Sequence, residues 1–465
     1  MAYKVVKFGG SNLKDICGIK KILKAIQGYN QPLVIVISAF YGITDKLAYA
    51  ISQAIKNNLD LDSFISGISN QKLNTILNSV SDEKLVNEFK NELEVRINKL
   101  KGFLLGVKYI RQVPPSLYDE ILSYGERLSS LVLYYILRNE QIKCEEVFPE
   151  EIGLITDGEF KNATVNLDLS YSSVQKNLSE NKTYVIPGFY GVSVKGKITL
   201  LGRGGTDYSA AAIAACLDAE SLDLWKDVKG FLSADPKIVQ NAVKIDSLTY
   251  AEAAELAYFG SKILHPRTPE PLINLKIPIR ILNIDDSEKG IDPLTIINGK
   301  ETVKEGIIKS VSYSDNFGIL RLFGSGVGIK PGILAKSTTE LDNAGINIKS
   351  VITSQTAINI LLSQDDLIEA KKVVDKEDIH GVSKVVVTEN ISIIAAVGEG
   401  LTSHYGIAGR IFTAVARKGI NVNIICFGAS DVAMYFIVNQ NDRDETVKEI
   451  HKEFFINELC CNTCI

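Results

Sequence analysis

The stretch YKVVKFGGS, residues 3–11, starts with an apolar β-rich run and ends in two adjacent glycines. The run predicts a buried strand, and the glycines predict a tight turn into the helix that follows. A second apolar run, LVIVI at 33–37, comes after a segment with apolar residues at helical spacing. Strand and helix patterns alternate in this way to about residue 290. The alternation predicts an α/β fold with an open, mostly parallel sheet and helices on both faces.

The composition of the 465 residues is that of an ordinary globular protein, with 46% hydrophobic residues and a formal net charge of -4. This length predicts two to three domains. The charge argues against a nucleic-acid partner, because such proteins carry a concentrated basic face. With no long apolar stretch and no signal-peptide pattern, we expect no membrane segment and a cytoplasmic location. The seven cysteines are irregularly spaced, so we expect reduced thiols. Cys460, Cys461 and Cys464 could hold a soft metal, but a frayed C-terminal tail is favoured because no histidine or further cysteine lies nearby in the sequence.

Two other regions set the domain organisation. Residues from about 60 to 112 are polar and helical in period, which predicts a helical insertion within a first domain of residues 1–300. The segments GILA at 332–335 and GINI at 345–348 recur as GIAG at 406–409 and GINV at 419–422, at equal spacing. The repeat predicts two small ferredoxin-type α+β units at 305–385 and 386–465. We therefore expect no further enzymatic domain after the second unit.

The glycine-rich motifs are the candidates for anion binding. In the first, Lys7 precedes Gly9 and Gly10, whose backbone N–H groups would approach an anion at a helix start; a plain strand-to-helix turn explains this motif equally well. In GRGGTD at 202–207, Arg203 offers a planar fork suited to a carboxylate or phosphate. Asp207 could instead be only a helix cap, although a cap does not need the preceding glycines and arginine.

Three further motifs are less specific by themselves. Glu126, in SYGE at 123–126, could hold an ammonium group or complement a helix dipole. The stretch WKDVKGFLSADPK at 225–237 predicts an ordered, charged loop. In FGSKILHP at 259–266, Lys262 follows a helix-ending glycine, and His265 has an apolar setting that favours a structural histidine.

These five motifs, in this order, resemble those of the aspartokinases in the amino-acid-kinase superfamily, and the repeat is similar to their paired ACT regulatory domains. The resemblance implies the amino-acid-kinase fold. It also implies transfer of the γ-phosphoryl group of ATP, with Mg²⁺, to the β-carboxylate of L-aspartate, the first step of aspartate-family amino-acid biosynthesis. Alternatives are a kinase for another acidic amino acid, or a decayed kinase that senses amino acids. A homo-oligomer paired through the ACT domains is a further expectation.

The resemblance also implies roles for individual residues. Lys7, Gly9 and Gly10 would stabilise the transferring phosphoryl group, with Asp207 orienting Lys7. Arg203 would hold the substrate α-carboxylate and Glu126 its ammonium. Other pocket and nucleotide residues complete the set. Ser38, Ala39, Thr44 and Thr206 would line the aspartate pocket, and Lys226, Asp227, Leu232, Lys237 and Lys262 would face the nucleotide.

The sequence departs from the family pattern in places that bear on nucleotide binding and regulation. Lys226 stands where a threonine is usual, Leu232 replaces a frequent tyrosine and Lys237 a frequent arginine. In the first ACT-like unit, lysine-inhibited members carry acidic residues where this chain has Lys349 and Gln355. We therefore expect weak or absent inhibition by lysine, with threonine or no amino acid as the effector.

Overall fold

A computed structural model describes residues 3–179, 181–299, 307–377 and 379–456. The chain divides into two compact units. The first comprises the described residues of 1–231, 244–257 and 262–302, and the second those of 232–243, 258–261 and 303–465. In the described residues, no helix is both long enough and apolar enough to span a bilayer.

The first unit is built on a mostly parallel sheet with strand order β3-β5-β2-β1-β8-β10-β11-β9, in which β10 and β11 form the antiparallel pair. A smaller sheet has the order β4-β6-β7. The strands are β1 (Lys4–Phe8), β2 (Leu33–Ile37), β3 (Cys144–Glu146), β4 (Ile155–Thr156), β5 (Thr183–Pro187), β6 (Tyr190–Ser193), β7 (Ile198–Leu200), β8 (Ser221–Lys226), β9 (Ser247–Leu248), β10 (Ile279–Asn283) and β11 (Thr295–Ile297). The predicted parallel α/β architecture is confirmed.

Helices connect these strands. They are α1 (Ile16–Gln27), α2 (Ile43–Ile55), α3 (Leu61–Leu77), α4 (Glu83–Ile110), α5 (Pro115–Asn139), α6 (Pro149–Ile152), α7 (Leu167–Asn177), α8 (Gly205–Cys216) and α9 (Tyr250–Tyr258). α3 and α4 occupy the predicted helical insertion. Their apolar faces share one continuous hydrophobic core with β1 and β2, including Phe89 and Leu100 of α4. The insertion is therefore an integral layer of the first unit.

A polar network is buried beside the central strands. Asp223 of β8 is completely buried and accepts hydrogen bonds from the Tyr29 hydroxyl at 2.6 Å, the Ser221 hydroxyl at 2.7 Å and the Arg280 guanidinium at 2.9 Å. The indole N–H of Trp225 donates to the Tyr29 hydroxyl at 3.0 Å. Burial raises the pKa of Asp223, and Arg280 opposes this shift. The network ties β8 to β10 and to the turn after α1.

The second unit contains two four-stranded antiparallel sheets with orders β14-β15-β13-β16 and β12-β17-β19-β18. The strands are β12 (Ser310–Ser314), β13 (Phe317–Phe323), β14 (Ser350–Thr353), β15 (Ala357–Ser363), β16 (Lys384–Thr388), β17 (Ile391–Val397), β18 (Ile424–Cys426) and β19 (Ala433–Asn439). The helices are α10 (Ile333–Asn343), α11 (Leu367–Lys376), α12 (Ile407–Ala416) and α13 (Arg443–Phe455). Both predicted α+β repeats are present.

The boundaries of the repeats differ from the predicted ones. The first repeat, β13 to β16, is complete in itself, whereas β12 pairs along its length with β17 of the second repeat. The first repeat is thus inserted into the second. The predicted start of the first repeat at residue 305 assigned β12 to the wrong sheet, because the pairing of β12 with β17 joins residues about 80 apart in the chain.

The predicted single boundary near residue 300 also differs from the structure. Residues 232–243 belong to the second unit, because the Val311 N–H donates to the Ser233 carbonyl at 2.8 Å. The Ser233 hydroxyl hydrogen-bonds to the His451 ring at 2.8 Å. Of the residues predicted to face the nucleotide, Leu232 and Lys237 therefore lie in the second unit.

We expect Asp223→Ala to destabilise the first unit by about 3–5 kcal/mol, because the change leaves Arg280 partly buried without its carboxylate. Trp225 is the single tryptophan of the chain, so denaturant unfolding followed by its fluorescence reports on this unit. Asp285→Ala is the matched control, since Asp285 pairs with Lys21 on the surface. The control should leave the transition midpoint unchanged, and an equally small shift for both variants would contradict the prediction.

Candidate active site

The centre of the site is a carboxylate between two ammonium groups. Lys7, near the end of β1, lies 2.6 Å from Oδ1 of Asp207, and Lys226, at the end of β8, lies 2.7 Å from Oδ2. β1 and β8 are adjacent parallel strands, and Asp207 is in the first turn of α8. All three side chains are at most 14% exposed. Burial by itself would raise the pKa of Asp207, but Lys226 and Lys7 lower it below its ordinary value, so this carboxylate is ionised.

The glycine turn after β1 leaves space next to this cluster. A Cβ atom at Gly9 would lie 3.5 Å from Nζ of Lys7, and one at Gly10 would lie 2.8 Å from the carbonyl oxygen of Ala39. The second distance is too short for any side chain. The glycines thus let the backbone after β1 lie against the loop after β2, as a phosphate-binding turn requires.

The loop after β2 is held by α5. The Ala39 N–H donates to Oε1 of Glu126 at 3.0 Å, and the Phe40 N–H donates to the Ser129 hydroxyl at 3.1 Å. Gly125 allows this approach, since a Cβ there would lie 2.9 Å from Cβ of Ala39. Oε2 of Glu126 is buried and has no hydrogen-bond partner within the described residues. Burial raises the pKa of Glu126 to about 8, and the hydrogen bond from Ala39 opposes the shift.

Other predicted residues join the same site. The Thr206 hydroxyl donates to the Ser38 hydroxyl at 3.3 Å, which connects α8 to the loop after β2. Oγ1 of Thr44 lies 3.7 Å from the position that a Cβ at Gly125 would take. The structure therefore places Ser38, Ala39, Thr44, Glu126 and Thr206 close together, and their role as an aspartate pocket stays a prediction.

Residues at the rim are less constrained. Asp227 is exposed and accepts a hydrogen bond from the Ser11 hydroxyl at 3.0 Å. Arg203 and Lys262 are also exposed, and Arg203 lies in the turn that begins α8. Leu232 is half-buried and Lys237 exposed in the second unit.

His265 packs on the turn that begins α8. Gly204, the residue before this helix, has φ of +75°, and a Cβ there would lie 2.4 Å from the His265 ring. Burial lowers the pKa of His265, and its Nδ1 atom accepts a hydrogen bond from the Arg267 N–H at 3.3 Å. These contacts agree with a structural histidine.

Sequence reasoning missed Lys72. This lysine is completely buried on α3, its ammonium lies 3.3 Å from the centre of the Phe40 ring, and no hydrogen-bond partner for it is found in the described part of the chain. Burial lowers its pKa strongly, nearby Lys46 adds to the shift, and Glu126 opposes it. A signal was present in the sequence, because Lys72 continues the apolar stripe of Ile65 and Ile68 at helical spacing.

Metal binding at this site depends on which side-chain carboxylates are not already paired with lysines. Both oxygens of Asp207 face lysines, which leaves the exposed carboxylate of Asp227 as the acidic group at the rim. Among the described residues, no cluster of three or more His, Cys, Asp or Glu side chains could hold a metal ion. This donor set fits Mg²⁺ that is bound mainly by nucleotide phosphates and water.

Comparison with known proteins assigns the family. The model of the Amino acid kinase family matches residues 2–283, and an ACT domain model matches residues 394–454. Aspartokinase 1, chloroplastic, of Arabidopsis thaliana is 30% identical over 466 residues, which cover 97% of this chain and 80% of that protein. The chain belongs to the aspartokinase family.

Family members differ in length. The chain spans 57% of the bifunctional aspartokinase/homoserine dehydrogenase of Buchnera aphidicola, with 28% identity over 467 residues. E. coli aspartokinase III in complex with aspartate and ADP has a TM-score of 0.81 and 25% identity, over 97% of this chain and 100% of that chain. The same E. coli enzyme in complex with lysine and aspartate has a TM-score of 0.79 and 26% identity, over 97% of this chain and 99% of that chain. The whole fold, including the regulatory repeats, is therefore that of the family.

We expect Glu126→Gln to stabilise the protein at alkaline pH. The folded state keeps a proton on Glu126 that the unfolded chain loses, so wild-type stability falls as pH rises from about 4.5 to about 8. Glutamine keeps an acceptor for the Ala39 N–H and has no such dependence. The advantage of the variant should grow by on the order of 2 kcal/mol between pH 6 and pH 8.5, measured by denaturant unfolding. An advantage that is constant over this range would show that Glu126 does not titrate there.

Proposed function

We propose that this chain is an aspartate kinase that transfers the γ-phosphoryl group of ATP to the β-carboxylate of L-aspartate, yielding 4-phospho-L-aspartate and ADP for aspartate-family amino-acid biosynthesis. The observation that carries the proposal is the buried Lys7–Asp207 ion pair beside the Gly9-Gly10 turn. Membership of the aspartokinase family supplies the reaction class.

The reaction needs no general base. The β-carboxylate of aspartate titrates near pH 4, so the nucleophile is already ionised at neutral pH. A carboxylate oxygen forms a bond to the γ-phosphorus as the bond to the leaving ADP oxygen breaks, and no proton moves. Catalysis then consists of positioning and charge neutralisation. Lys7 and the N–H groups of Gly9 and Gly10 supply positive charge and donors for the phosphoryl oxygens, and Asp207 fixes the direction of the Lys7 ammonium.

The resemblance assigns the remaining residues to an aspartate pocket and a nucleotide site. Arg203 would bind the α-carboxylate by its fork, and Glu126 the ammonium through its free Oε2. Ser38, Ala39, Thr44 and Thr206 shape the pocket around the side chain. Asp227 and Lys262 would face the nucleotide, as the resemblance implies. Mg²⁺ bound mainly by phosphate oxygens and water, with the exposed Asp227 carboxylate at the rim, would neutralise part of the phosphate charge.

Hydroxylamine traps acyl phosphates, so a hydroxamate assay with ATP tests the reaction directly. We expect product with L-aspartate and none above background with L-glutamate or D-aspartate. Lys7→Ala should lower kcat by roughly 10²-fold or more, because one preorganised charge is lost. Lys4→Ala is the matched control on the same strand, since Lys4 pairs with Glu220 outside the site. Equal turnover of glutamate, or Lys7→Ala with more than about half of wild-type kcat, would refute the proposal.

Regulation by an amino acid at the ACT domains is part of the proposal. The charges of the first ACT-like repeat disfavour lysine as this amino acid. The Lys349 ammonium lies 5.6 Å from the centre of the Tyr258 ring, and the Tyr258 hydroxyl donates to the Lys349 carbonyl at 3.1 Å. Gln355 is exposed. The two positions that are acidic in lysine-inhibited members therefore carry a half-buried positive charge, at Lys349, and a neutral amide, at Gln355. Homo-oligomerisation through the ACT domains and a cytoplasmic location stay predictions.

We expect lysine to inhibit the activity weakly or not at all at subsaturating aspartate. Titration with threonine under the same conditions is the comparison. At an effective dielectric near 20, replacing an opposite charge by a like charge about 4 Å from an ammonium costs several kcal/mol. Allosteric coupling is about 1–3 kcal/mol, which is too small to offset that cost. Lys349→Glu combined with Gln355→Asp should create lysine inhibition, and Lys376→Glu, an exposed change on α11, should not. Strong inhibition of the wild type by sub-millimolar lysine would contradict the prediction.

A further inference from the structure

Lys226 lies on the same face of the sheet as Lys7. In the register of β1 and β8, Lys7 is level with Leu224, and Lys226 follows two residues later. Side chains alternate along a strand, so Lys7, Leu224 and Lys226 point to one face. Phe8 and Trp225 point to the other face, where their rings stack with centroids 6.4 Å apart. Both ammonium groups therefore reach the carboxyl edge of the sheet, where α8 begins.

The shared carboxylate gives this cluster a net charge of +1. Asp207 presents Oδ1 to Lys7 and Oδ2 to Lys226, and each contact is shorter than 3 Å. A lysine ammonium has three N–H donors, so one bond to Asp207 leaves two donors free. In the part of the chain that the structure describes, Asp207 is the only side chain to which Lys226 donates a hydrogen bond. With a neutral residue at position 226, the Lys7–Asp207 pair would carry no net charge.

Position 226 thus carries an ammonium group that binds the Asp207 carboxylate. We propose that Lys226 is a second catalytic cation, whose ammonium contacts the transferring phosphoryl group opposite Lys7. The inference rests on the proposed function and deepens it. Lys226 neither donates nor accepts a proton in the step, since the bond from the carboxylate to phosphorus forms as the bond to ADP breaks. Its positive charge stabilises the transition state, because this charge interacts with the negative charge that spreads over the phosphoryl oxygens.

Two simpler roles for Lys226 give different kinetics. A residue that only binds the nucleotide changes the KM for ATP, because it contacts ground state and transition state alike. A residue that only supports the position of Asp207 acts through geometry, so a substitute that preserves the fold without the charge would preserve kcat. A cation on the transferring group changes kcat, with little effect on either KM.

The first experiment compares Lys226→Met with Lys226→Arg in the full chain, by the aspartate hydroxamate assay. We expect Lys226→Met to lower kcat by about 30-fold or more, with both KM values within about threefold of wild type. Lys226→Arg keeps a positive group that can pair with Asp207, so its kcat should fall between those of Met and wild type. Lys229→Met is the matched control, as an exposed lysine three residues further along. Thermal unfolding of each variant shows whether the fold is intact.

Restoration of the charge separates chemistry from structure. Lys226→Cys treated with 2-bromoethylamine gains a side chain of lysine length that ends in an ammonium group, and we expect at least about tenfold recovery of kcat. Wild type treated in the same way controls for reaction at other thiols such as exposed Cys17.

The outcomes distinguish the two proposals. If the wild type makes no aspartyl hydroxamate, the proposed function fails, and the role of Lys226 falls with it. If the wild type is active, the role of Lys226 is overturned by any of three results: unchanged kcat in folded Lys226→Met, a change confined to the KM for ATP, or no recovery on alkylation of Lys226→Cys.

Discussion

The ion pairs of Asp207 with Lys7 and Lys226 constrain the catalytic unit more than any other interaction. Three buried charges are tolerated only when each has a close opposite partner, because isolated charges are costly to remove from water. The partners come from two adjacent strands and one helix, so β1, β8 and α8 must keep a single relative position. A shift of one residue between β1 and β8 would turn one of the lysines to the opposite face.

Several other features follow from that arrangement. Asp207 lies in the first turn of α8, and the turn before this helix must pass close to His265, which requires Gly204. The turn after β1 must pass close to the loop after β2, which requires Gly10. That loop in turn fixes Ala39 against Glu126. Short contacts therefore link the Asp207 cluster, the two glycine turns and Glu126. These features lie together at the carboxyl edge of the parallel sheet, where ligands usually bind in this kind of fold.

The sequence predicts the parts of this structure that depend on local patterns. Buried strands such as LVIVI and the glycine turns are visible because their signals lie within a few residues, and the repeat is visible because its glycines are equally spaced. Long-range partners are not encoded in this way. The pairing of β12 with β17 joins segments on either side of the first repeat, and the attachment of Ser233 to His451 joins residues 218 apart. Spacing likewise gave no indication that Lys226 would meet Asp207, so family position alone assigned it to the nucleotide.

Two fully buried carboxylates in the same unit behave in opposite ways, and their neighbours explain the difference. Asp207 touches two ammonium groups and has a lowered pKa, whereas Glu126 accepts one backbone hydrogen bond and has a pKa raised to about 8. Lys72 lies nearby without forming an ion pair with Glu126, and its own pKa is lowered by burial. The Asp207 carboxylate therefore stays ionised between Lys7 and Lys226. Under the proposed function, a bound ammonium would favour the ionisation of Glu126, so this side of the pocket would respond to its ligand, whereas the Lys7–Asp207 pair is already in place.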